Sequence, residues 1–229
     1  MPPRLLAADY DGTLAHEGTV APGTLAALER LRGRGVRLVL VTGRVLGDLR
    51  RVFPQLDRFH AVVAENGAVL HVPQGERLSP LAAPPPGALA ERLRERGVRP
   101  LSTGEVIVAT REPFEDEARA AIAALGLDWH VTLNKGAVML LPRGVDKASG
   151  IAAALAELGV PARDTVGVGD AENDIAFLAA CGIGVAVANA LPEVRARATY
   201  VTRAPNGAGV RELAEALLTD SLDSLRPGV

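Results

Sequence analysis

The feature that most constrains the fold is a series of short apolar runs that alternate with amphipathic stretches along the chain. Residues 36–41 read V-R-L-V-L-V, a buried-strand pattern, and residues 22–34 before them carry leucines spaced for one helix face. The second half, residues 147–218, repeats this alternation. Strand and helix alternating at such intervals predict right-handed crossovers and a parallel sheet covered on both faces. The sequence therefore predicts a doubly wound, Rossmann-like α/β core.

The middle of the chain has a different character. Residues 82–87 read A-A-P-P-P-G, a stiff segment, because proline fixes φ and lacks a backbone donor. The pattern after it predicts, in order, a helix at 88–96, strands near Val98 and at 105–110, a helix at 114–125, and strands at 128–133 and 137–141. Such an order is typical of a small antiparallel sheet with helices on one face. We therefore predict a core of residues 1–79 and 144–229 and an inserted α+β domain of residues 80–143.

Composition narrows the range of partners. The 229-residue chain has a formal net charge of -2, which provides no positive field for a nucleic-acid backbone. No apolar run approaches the roughly 20 residues of a membrane span. The single cysteine, Cys181, cannot form an internal disulfide, as is typical of a reducing cytoplasm. We expect a cytoplasmic monomer or homodimer that binds neither nucleic acid nor membrane.

Two aspartates follow the first predicted strand directly. Asp9 and Asp11 lie in the segment D-Y-D-G-T, at a strand's carboxyl end, where open α/β sheets bind their ligands. Two carboxylates this close repel each other unless a divalent cation lies between them or one of them keeps its proton. The segment therefore favours a metal or acid–base site, although Asp-Gly is also ordinary turn chemistry.

Three further segments carry polar groups at equivalent places. Thr42 and Gly43 follow the second strand, where a hydroxyl and free amides at a helix start suit either a phosphate or simple capping. Lys147 falls in the first turn of a helix, an unfavourable place for a cation unless an anion such as phosphate lies nearby. Residues 169–174, G-D-A-E-N-D, follow the third strand. Four such segments at one sheet edge predict a single phosphate or metal site.

In order and spacing this set resembles the haloacid dehalogenase superfamily of phosphohydrolases. The matching segments are D-x-D-G-T at 9–13, T-G-R at 42–44, Lys147, and G-D-x-x-N-D at 169–174. The insertion lies between the second and third of these, the position of that superfamily's type-two cap, so we call residues 80–143 the cap segment. Residues 65–67 and 144–147 are similar to the Cof-like and sucrose-phosphate-phosphatase-like branch. Length and cap are most similar to archaeal-type phosphoglycolate phosphatases.

The resemblance implies a Mg2+-dependent phosphomonoester hydrolase acting on a small phosphorylated metabolite, either phosphoglycolate or a sugar phosphate. It implies that Asp9 is the nucleophile, forming an aspartyl-phosphate, and that Asp11 acts first as acid and then as base. The implied Mg2+ ligands are the carboxylates of Asp9 and Asp170 and the backbone carbonyl of Asp11. The implied phosphate contacts are Thr42, Gly43, Lys147 and Asn173, with Asp174 orienting the metal ligands. Candidates for contacting the rest of the substrate are Arg44, Asn66, Asn134 and Lys135.

Other functions share parts of this pattern. A phosphomutase of the same superfamily starts from the same aspartyl-phosphate, but transfers the phosphoryl group to a second hydroxyl and normally has a larger cap. A receiver-like phospho-acceptor also combines aspartates, a threonine and a lysine on a doubly wound sheet. Receivers, however, are much shorter and carry no inserted cap. A binding protein that had lost its activity would not be expected to keep all four segments.

Overall fold

The computed structural model describes residues 3–225 and contains two β-sheets. In chain order the strands are β1 (Leu5–Asp9), β2 (Arg37–Val41), β3 (Ala61–Ala64), β4 (Val69–Val72), β5 (Arg77–Pro80), β6 (Ser102–Thr103), β7 (Val108–Arg111), β8 (Trp129–Asn134), β9 (Ala137–Pro142), β10 (Thr165–Gly169), β11 (Ile183–Ala186) and β12 (Tyr200–Val201). The α-helices are α1 (Pro22–Gly33), α2 (Leu46–Val52), α3 (Gly87–Glu95), α4 (Glu115–Ala124), α5 (Lys147–Leu158), α6 (Ile175–Ala180), α7 (Pro192–Arg197) and α8 (Asn206–Leu218). None of the helices within residues 3–225 combines the length and apolar character needed to cross a bilayer.

The large sheet has eight strands in the order β12-β11-β10-β1-β2-β3-β4-β5. The strands from β12 to β3 are parallel to one another, and β4 and β5 extend the edge as an antiparallel hairpin. Every residue of β1, β3 and β10 is buried, as expected where helices cover both faces. Helices α1 and α8 pack against each other, as do α5 and α6. The predicted doubly wound, Rossmann-like core is confirmed.

The hairpin of β4 and β5 was not predicted. Each strand has only four residues. The run V-L-H-V of β4 shows no clear alternation of apolar and polar residues, and its one polar residue, His71, is buried. The turn between the strands contains Gly75 and Glu76, both with positive φ. The last residue of the hairpin, Pro80, pairs with Val69 in the large sheet, although the sequence division placed it in the cap segment.

The small sheet is antiparallel, with the order β6-β7-β9-β8. One of its faces packs against α3 and α4 in a separate apolar core that includes Leu89, Leu93, Val108, Val138 and Leu140. The strand predicted near Val98 is wrong. That residue is buried in the same core without strand pairing, and Pro100 beyond it has no amide to donate to a ladder.

Candidate active site

The sequence-predicted residues meet at the carboxyl ends of three adjacent parallel strands. Asp9 is the last residue of β1, which pairs with β2 on one side and with β10 on the other. Thr42 follows β2 and Asp170 follows β10, so the loops after all three strands lie around Asp9. Lys147 reaches the same place from the first turn of α5.

Lys147 holds two carboxylates together. Its Nζ donates to Asp9 Oδ1 at 2.7 Å and to Asp174 Oδ1 at 2.6 Å, and all three residues are buried. Burial alone would lower the pKa of Lys147, but the charges of Asp174 and Asp9 outweigh it and raise that pKa. The lysine is therefore a permanent cation next to Asp9.

The start of α5 is built to bring Lys147 to this point. The Asp146 carboxylate accepts a hydrogen bond from the Ser149 amide at 2.7 Å, and the Asp146 amide donates to Ser149 Oγ at 3.0 Å, forming a capping box. The turn at Glu65–Gly67 packs directly against this cap, because a Cβ on Gly67 would overlap the Asp146 carbonyl oxygen. Gly67 also has φ +102°, a conformation that favours glycine.

Asp9, Asp170 and Asp174 form a buried acidic cluster. Each offers a carboxylate oxygen, and these atoms all lie within 4.8 Å of one another. Burial raises the pKa of Asp9 well above its usual range, and the charges of Asp174 and Asp170 raise it further, while Lys147 opposes the shift. The cluster thus concentrates negative charge that a cation would stabilise.

Asp170 receives additional contacts. Its carboxylate accepts a hydrogen bond from Thr13 Oγ1 at 3.0 Å and forms an ion pair with Lys135 of the cap segment. Burial raises the pKa of Asp170 even though Lys135 lowers it. The ion pair is a direct link between the cap segment and the core.

The donor set of the cluster suits a hard divalent cation, because carboxylate and carbonyl oxygens are the ligands that Mg2+ prefers in proteins. Two of the expected ligand residues, Asp9 and Asp170, belong to the cluster. Asp174 is committed elsewhere: its Oδ2 accepts hydrogen bonds from the amides of Asp170 and Ala171, each at 2.9 Å, and its Oδ1 accepts from Lys147. Asp174 therefore orients its neighbours.

Asp11 is held by an arginine that was predicted to contact the substrate. Arg44 donates from Nε to Oδ2 and from a terminal nitrogen to Oδ1 of Asp11, both at 2.7 Å, in a bidentate pair. The Arg44 amide donates to Thr42 Oγ1 at 3.1 Å, which leaves the Thr42 hydroxyl proton free to donate elsewhere. The Gly43 amide has no acceptor within residues 3–225. Thr42 and Gly43 thus offer two unused donors beside Asp9.

A cavity of about 650 Å³ separates these groups from the small sheet. From the core it is lined by residues that include Asp9, Asp11, Gly43 and Arg44, and from the cap segment by Ser102, Ala109, Arg111, Glu112, Asn134, Lys135, Gly136, Ala137 and Met139. Asn134 and Lys135, both predicted to contact the substrate, thus lie on its wall. The buried Asn134 Oδ1 has no hydrogen-bond partner among the described residues.

The structure pairs two predicted contacts with each other. Asn173 Nδ2 donates to Asn66 Oδ1 at 2.8 Å, and Asn66 is buried. Neither side chain lines the cavity. Asn173 Oδ1 is buried and unpartnered within the part of the chain that the structure describes. Asn66, predicted to contact the substrate, therefore contacts Asn173 in this structure.

Sequence reasoning assigned no role to Glu65, which joins the two parts of the chain. Its fully buried carboxylate accepts hydrogen bonds from the amides of Glu105 at 2.9 Å, Val106 at 3.0 Å and Ile107 at 3.2 Å. These amides lie between β6 and β7, so Glu65 fixes the base of the small sheet. Because all three donors are backbone groups, residues 105–107 carry no side-chain signal of the contact.

Asn189 was missed as well. Its Nδ2 donates to the Gly12 carbonyl oxygen at 2.8 Å, and its Oδ1 accepts a hydrogen bond from the Asn206 amide at 2.7 Å. The side chain thus ties the loop after β1 to the start of α8. A single asparagine in a loop after β11 has no sequence signature that would reveal this bridge.

Comparison with known proteins identifies the family. The chain matches the haloacid dehalogenase-like hydrolases over residues 6–84 and 105–213. The chain belongs to this family. A phosphoglycolate phosphatase of Methanothermobacter thermautotrophicus is 33% identical over 216 residues, covering 91% of this chain and 96% of that protein. One from Halorubrum lacusprofundi is 35% identical over 207 residues, covering 86% and 89%.

Solved structures share the fold of this haloacid dehalogenase-like hydrolase. A protein of Thermoplasma acidophilum superposes with a TM-score of 0.82 at 18% identity, covering 95% of this chain and 99% of that one. A sugar phosphatase of subclass IIB of the superfamily superposes with a TM-score of 0.75 at 21% identity, covering 96% and 99%. The superfamily and the enzyme class predicted from the sequence, a phosphatase, are confirmed.

Proposed function

We propose that this hydrolase is a Mg2+-dependent phosphomonoesterase that acts on a small phosphorylated metabolite through an aspartyl-phosphate on Asp9. The observation that carries the proposal is the position of the Asp9 carboxylate. It lines the cavity while the buried cation Lys147 holds its Oδ1, and its Oδ2 accepts no hydrogen bond from the described residues. Oδ2 is thus the oxygen available to attack phosphorus.

Asp11 would move the protons. In the first half-reaction Asp9 Oδ2 bonds to phosphorus, the bond from phosphorus to the substrate oxygen breaks, and Asp11 donates a proton to that oxygen. In the second half-reaction Asp11 removes a proton from a water, the water oxygen bonds to phosphorus, and the bond from phosphorus to Asp9 Oδ2 breaks, which releases phosphate and restores Asp9. Both carboxylate oxygens of Asp11 accept hydrogen bonds from Arg44, so Asp11 has to leave Arg44 before it can reach the substrate oxygen.

The phosphate would be held by donors that have no other acceptor. The Thr42 hydroxyl and the Gly43 amide meet this condition, and Lys147 adds a fixed positive charge. Donors and cations that are already in place where charge develops stabilise the transition state without reorganisation. Asn173 Oδ1, which has no partner among the described residues, is a hydrogen-bond acceptor. It would therefore contact a group that donates, such as a water or a protonated phosphate oxygen.

The carboxylates of Asp9 and Asp170 and the backbone carbonyl of Asp11 would hold the Mg2+ ion, with Asp174 orienting Asp170 and Lys147. When bound, the ion neutralises the charge of the approaching anions and polarises the phosphoryl group. Burial and repulsion among the carboxylates raise the pKa values of Asp9 and Asp170, and a bound cation would offset both effects, which supports this assignment.

The substrate would be a small phosphomonoester, either phosphoglycolate or a sugar phosphate. A cavity of about 650 Å³ lies within the range of about 300–1,000 Å³ that small-molecule sites span. The curated relatives are named phosphoglycolate phosphatases, which supports phosphoglycolate as the first compound to test.

The test is a phosphate-release assay over a panel of 2-phosphoglycolate, several sugar phosphates and a nucleoside monophosphate. We expect release from at least one compound with Mg2+, loss on chelation and recovery when Mg2+ is restored. Asp9→Asn should lower turnover by on the order of a thousandfold or more while the protein stays folded. The change is isosteric, and the new amide oxygen still accepts a hydrogen bond from Lys147.

Asp116→Asn is the matched control, since Asp116 is exposed on α4 of the cap segment and remote in sequence from the cluster. Near-normal activity in folded Asp9→Asn would contradict the proposal. Transfer of the phosphoryl group to a second hydroxyl, without phosphate release, would identify a phosphomutase instead.

A further inference from the structure

The roof of the cavity is one face of the small sheet. Cross-strand partners share a face, and the register pairs Ala109 with Met139 and Arg111 with Ala137. All four of these residues line the cavity. The alternate residues of the same strands, such as Val108 and Val138, are buried against α3 and α4. The small sheet therefore presents alternate residues of β7 and β9 directly to whatever the cavity holds.

The strand residues that line this roof carry one charged side chain. Of the described residues in β6, β7, β8 and β9 that face the cavity, five are small, apolar or an amide, namely Ser102, Ala109, Asn134, Ala137 and Met139, and the sixth is Arg111. Arg111 is exposed at the end of β7. Its neighbours Ala109 and Ala137 are short, so they leave its guanidinium open to the cavity.

Arg111 also differs from the other cations of the cavity in having no ionic partner. Arg44 is held by Asp11, and Lys135 is held by Asp170. Arg111 forms no ion pair with any residue between 3 and 225, its neighbour Glu112 included. A guanidinium left unpaired in a ligand cavity is suited to bind an anionic group of the ligand, and its planar fork matches a carboxylate.

We infer that Arg111 is a specificity-determining residue that binds a carboxylate on the substrate, so that the preferred substrate is a small phosphorylated carboxylic acid. This inference rests on the proposed function, since it takes the phosphate to lie at Asp9 on the opposite wall. The substrate would then bridge the cavity, with its phosphate toward the core and its carboxylate toward the roof. The carboxylate supplies the anionic partner that Arg111 lacks among residues 3–225.

The experiment compares two substrates that differ only at the inferred contact. 2-Phosphoglycolate has a carboxylate where 2-hydroxyethyl phosphate has a hydroxymethyl group. The wild-type protein should hydrolyse 2-phosphoglycolate with the higher kcat/KM. Arg111→Gln should reduce the ratio of the two kcat/KM values by about 10-fold to 100-fold, the effect of losing a charged hydrogen-bonding partner. The value for 2-hydroxyethyl phosphate should change by no more than about twofold, since that substrate has no carboxylate to lose.

Two further variants sharpen the result. Arg111→Lys keeps the charge but not the fork, so it should give an intermediate ratio. Arg94→Gln removes an equally exposed arginine from α3, outside the cavity, and should leave the ratio unchanged. Because Arg111 is exposed, its substitution should not alter the midpoint of thermal unfolding, which checks that each variant is folded.

Three results would overturn the inference. They are a wild-type preference for 2-hydroxyethyl phosphate, unchanged kcat/KM values for both substrates in folded Arg111→Gln, and an equal loss on both substrates in that variant. The last would mean that the arginine only supports the site. A wild-type protein that releases phosphate from no phosphomonoester would refute the proposed function itself, which is a different outcome from an active enzyme without carboxylate preference.

Discussion

Replacing Glu65 by alanine should destabilise the protein strongly and specifically at the base of the small sheet. The side chain is fully buried, and its carboxylate accepts hydrogen bonds from three amides, two of which belong to the buried residues Val106 and Ile107. A buried donor left without a partner costs about 1–3 kcal/mol. Two such donors therefore predict a loss of about 2–6 kcal/mol, a large part of the roughly 5–15 kcal/mol that stabilises a typical domain.

A matched control should share the backbone conformation of Glu65, which has positive φ. Glu76 provides that control: its φ is +51° against +55° for Glu65, but it is exposed and pairs only with Arg50 at the surface. Glu76→Ala should cost no more than about 1 kcal/mol, because the contact that it loses is a surface ion pair.

The assay is urea unfolding of both variants and the wild-type protein, followed by circular dichroism. Hydrogen exchange then locates the effect: the amides of Val106 and Ile107 should exchange much faster in Glu65→Ala than in Glu76→Ala. A free energy of unfolding for Glu65→Ala within about 1 kcal/mol of that for Glu76→Ala would refute the reasoning, as would unchanged protection of the two amides.

Two further predictions concern the core. Gly67→Ala should destabilise the protein and lower activity, because a Cβ there overlaps the Asp146 carbonyl at the start of α5. Gly75→Ala is the control for backbone strain, because Gly75 has φ +100° but open space around it. Equal free energies of unfolding for the two variants would contradict the steric argument. Burial raises the pKa of Cys181 to about 11, so at pH 8 iodoacetamide should alkylate the native protein about a hundredfold more slowly than the urea-unfolded chain. Equal rates would show that the thiol is not protected by the fold.

Helices whose two ends are marked by capping residues were predictable from the sequence. The start of the helix Lys147–Leu158 was predictable because Asp146 caps it, and Gly159, with φ +61°, ends the helix. The hairpin of β4 and β5 was not predictable in the same way. Its four-residue strands pair at a sheet edge, where the tertiary contact with β3 rather than a residue pattern defines them.

The candidate site likewise has features that were predictable from the sequence and features that were not. Asp9, Thr42 and Asp170 lie at the carboxyl ends of parallel strands, and these ends share one sheet edge. That the three residues meet therefore follows from the fold alone. The partners of individual side chains do not follow from it. Arg44 pairs with Asp11, across two loops, and Glu65 binds amides about forty residues away. Such pairings depend on rotamers and on the placement of the small sheet, neither of which leaves a repeating pattern in the sequence.

The structure also separates residues that can vary from residues that cannot. Asp9 and Asp174 are buried and both accept hydrogen bonds from the buried Lys147, so removing Lys147 leaves two buried carboxylates without their cation, at a cost of about 3–5 kcal/mol. Arg111, on the opposite wall, is exposed and without an ionic partner among residues 3–225, so changing it costs little stability. A substitution in the roof of the cavity can therefore change the substrate preference at little cost in stability. Substitutions in the core wall of the cavity, in contrast, would break the buried ion pairs of Lys147 with Asp9 and Asp174.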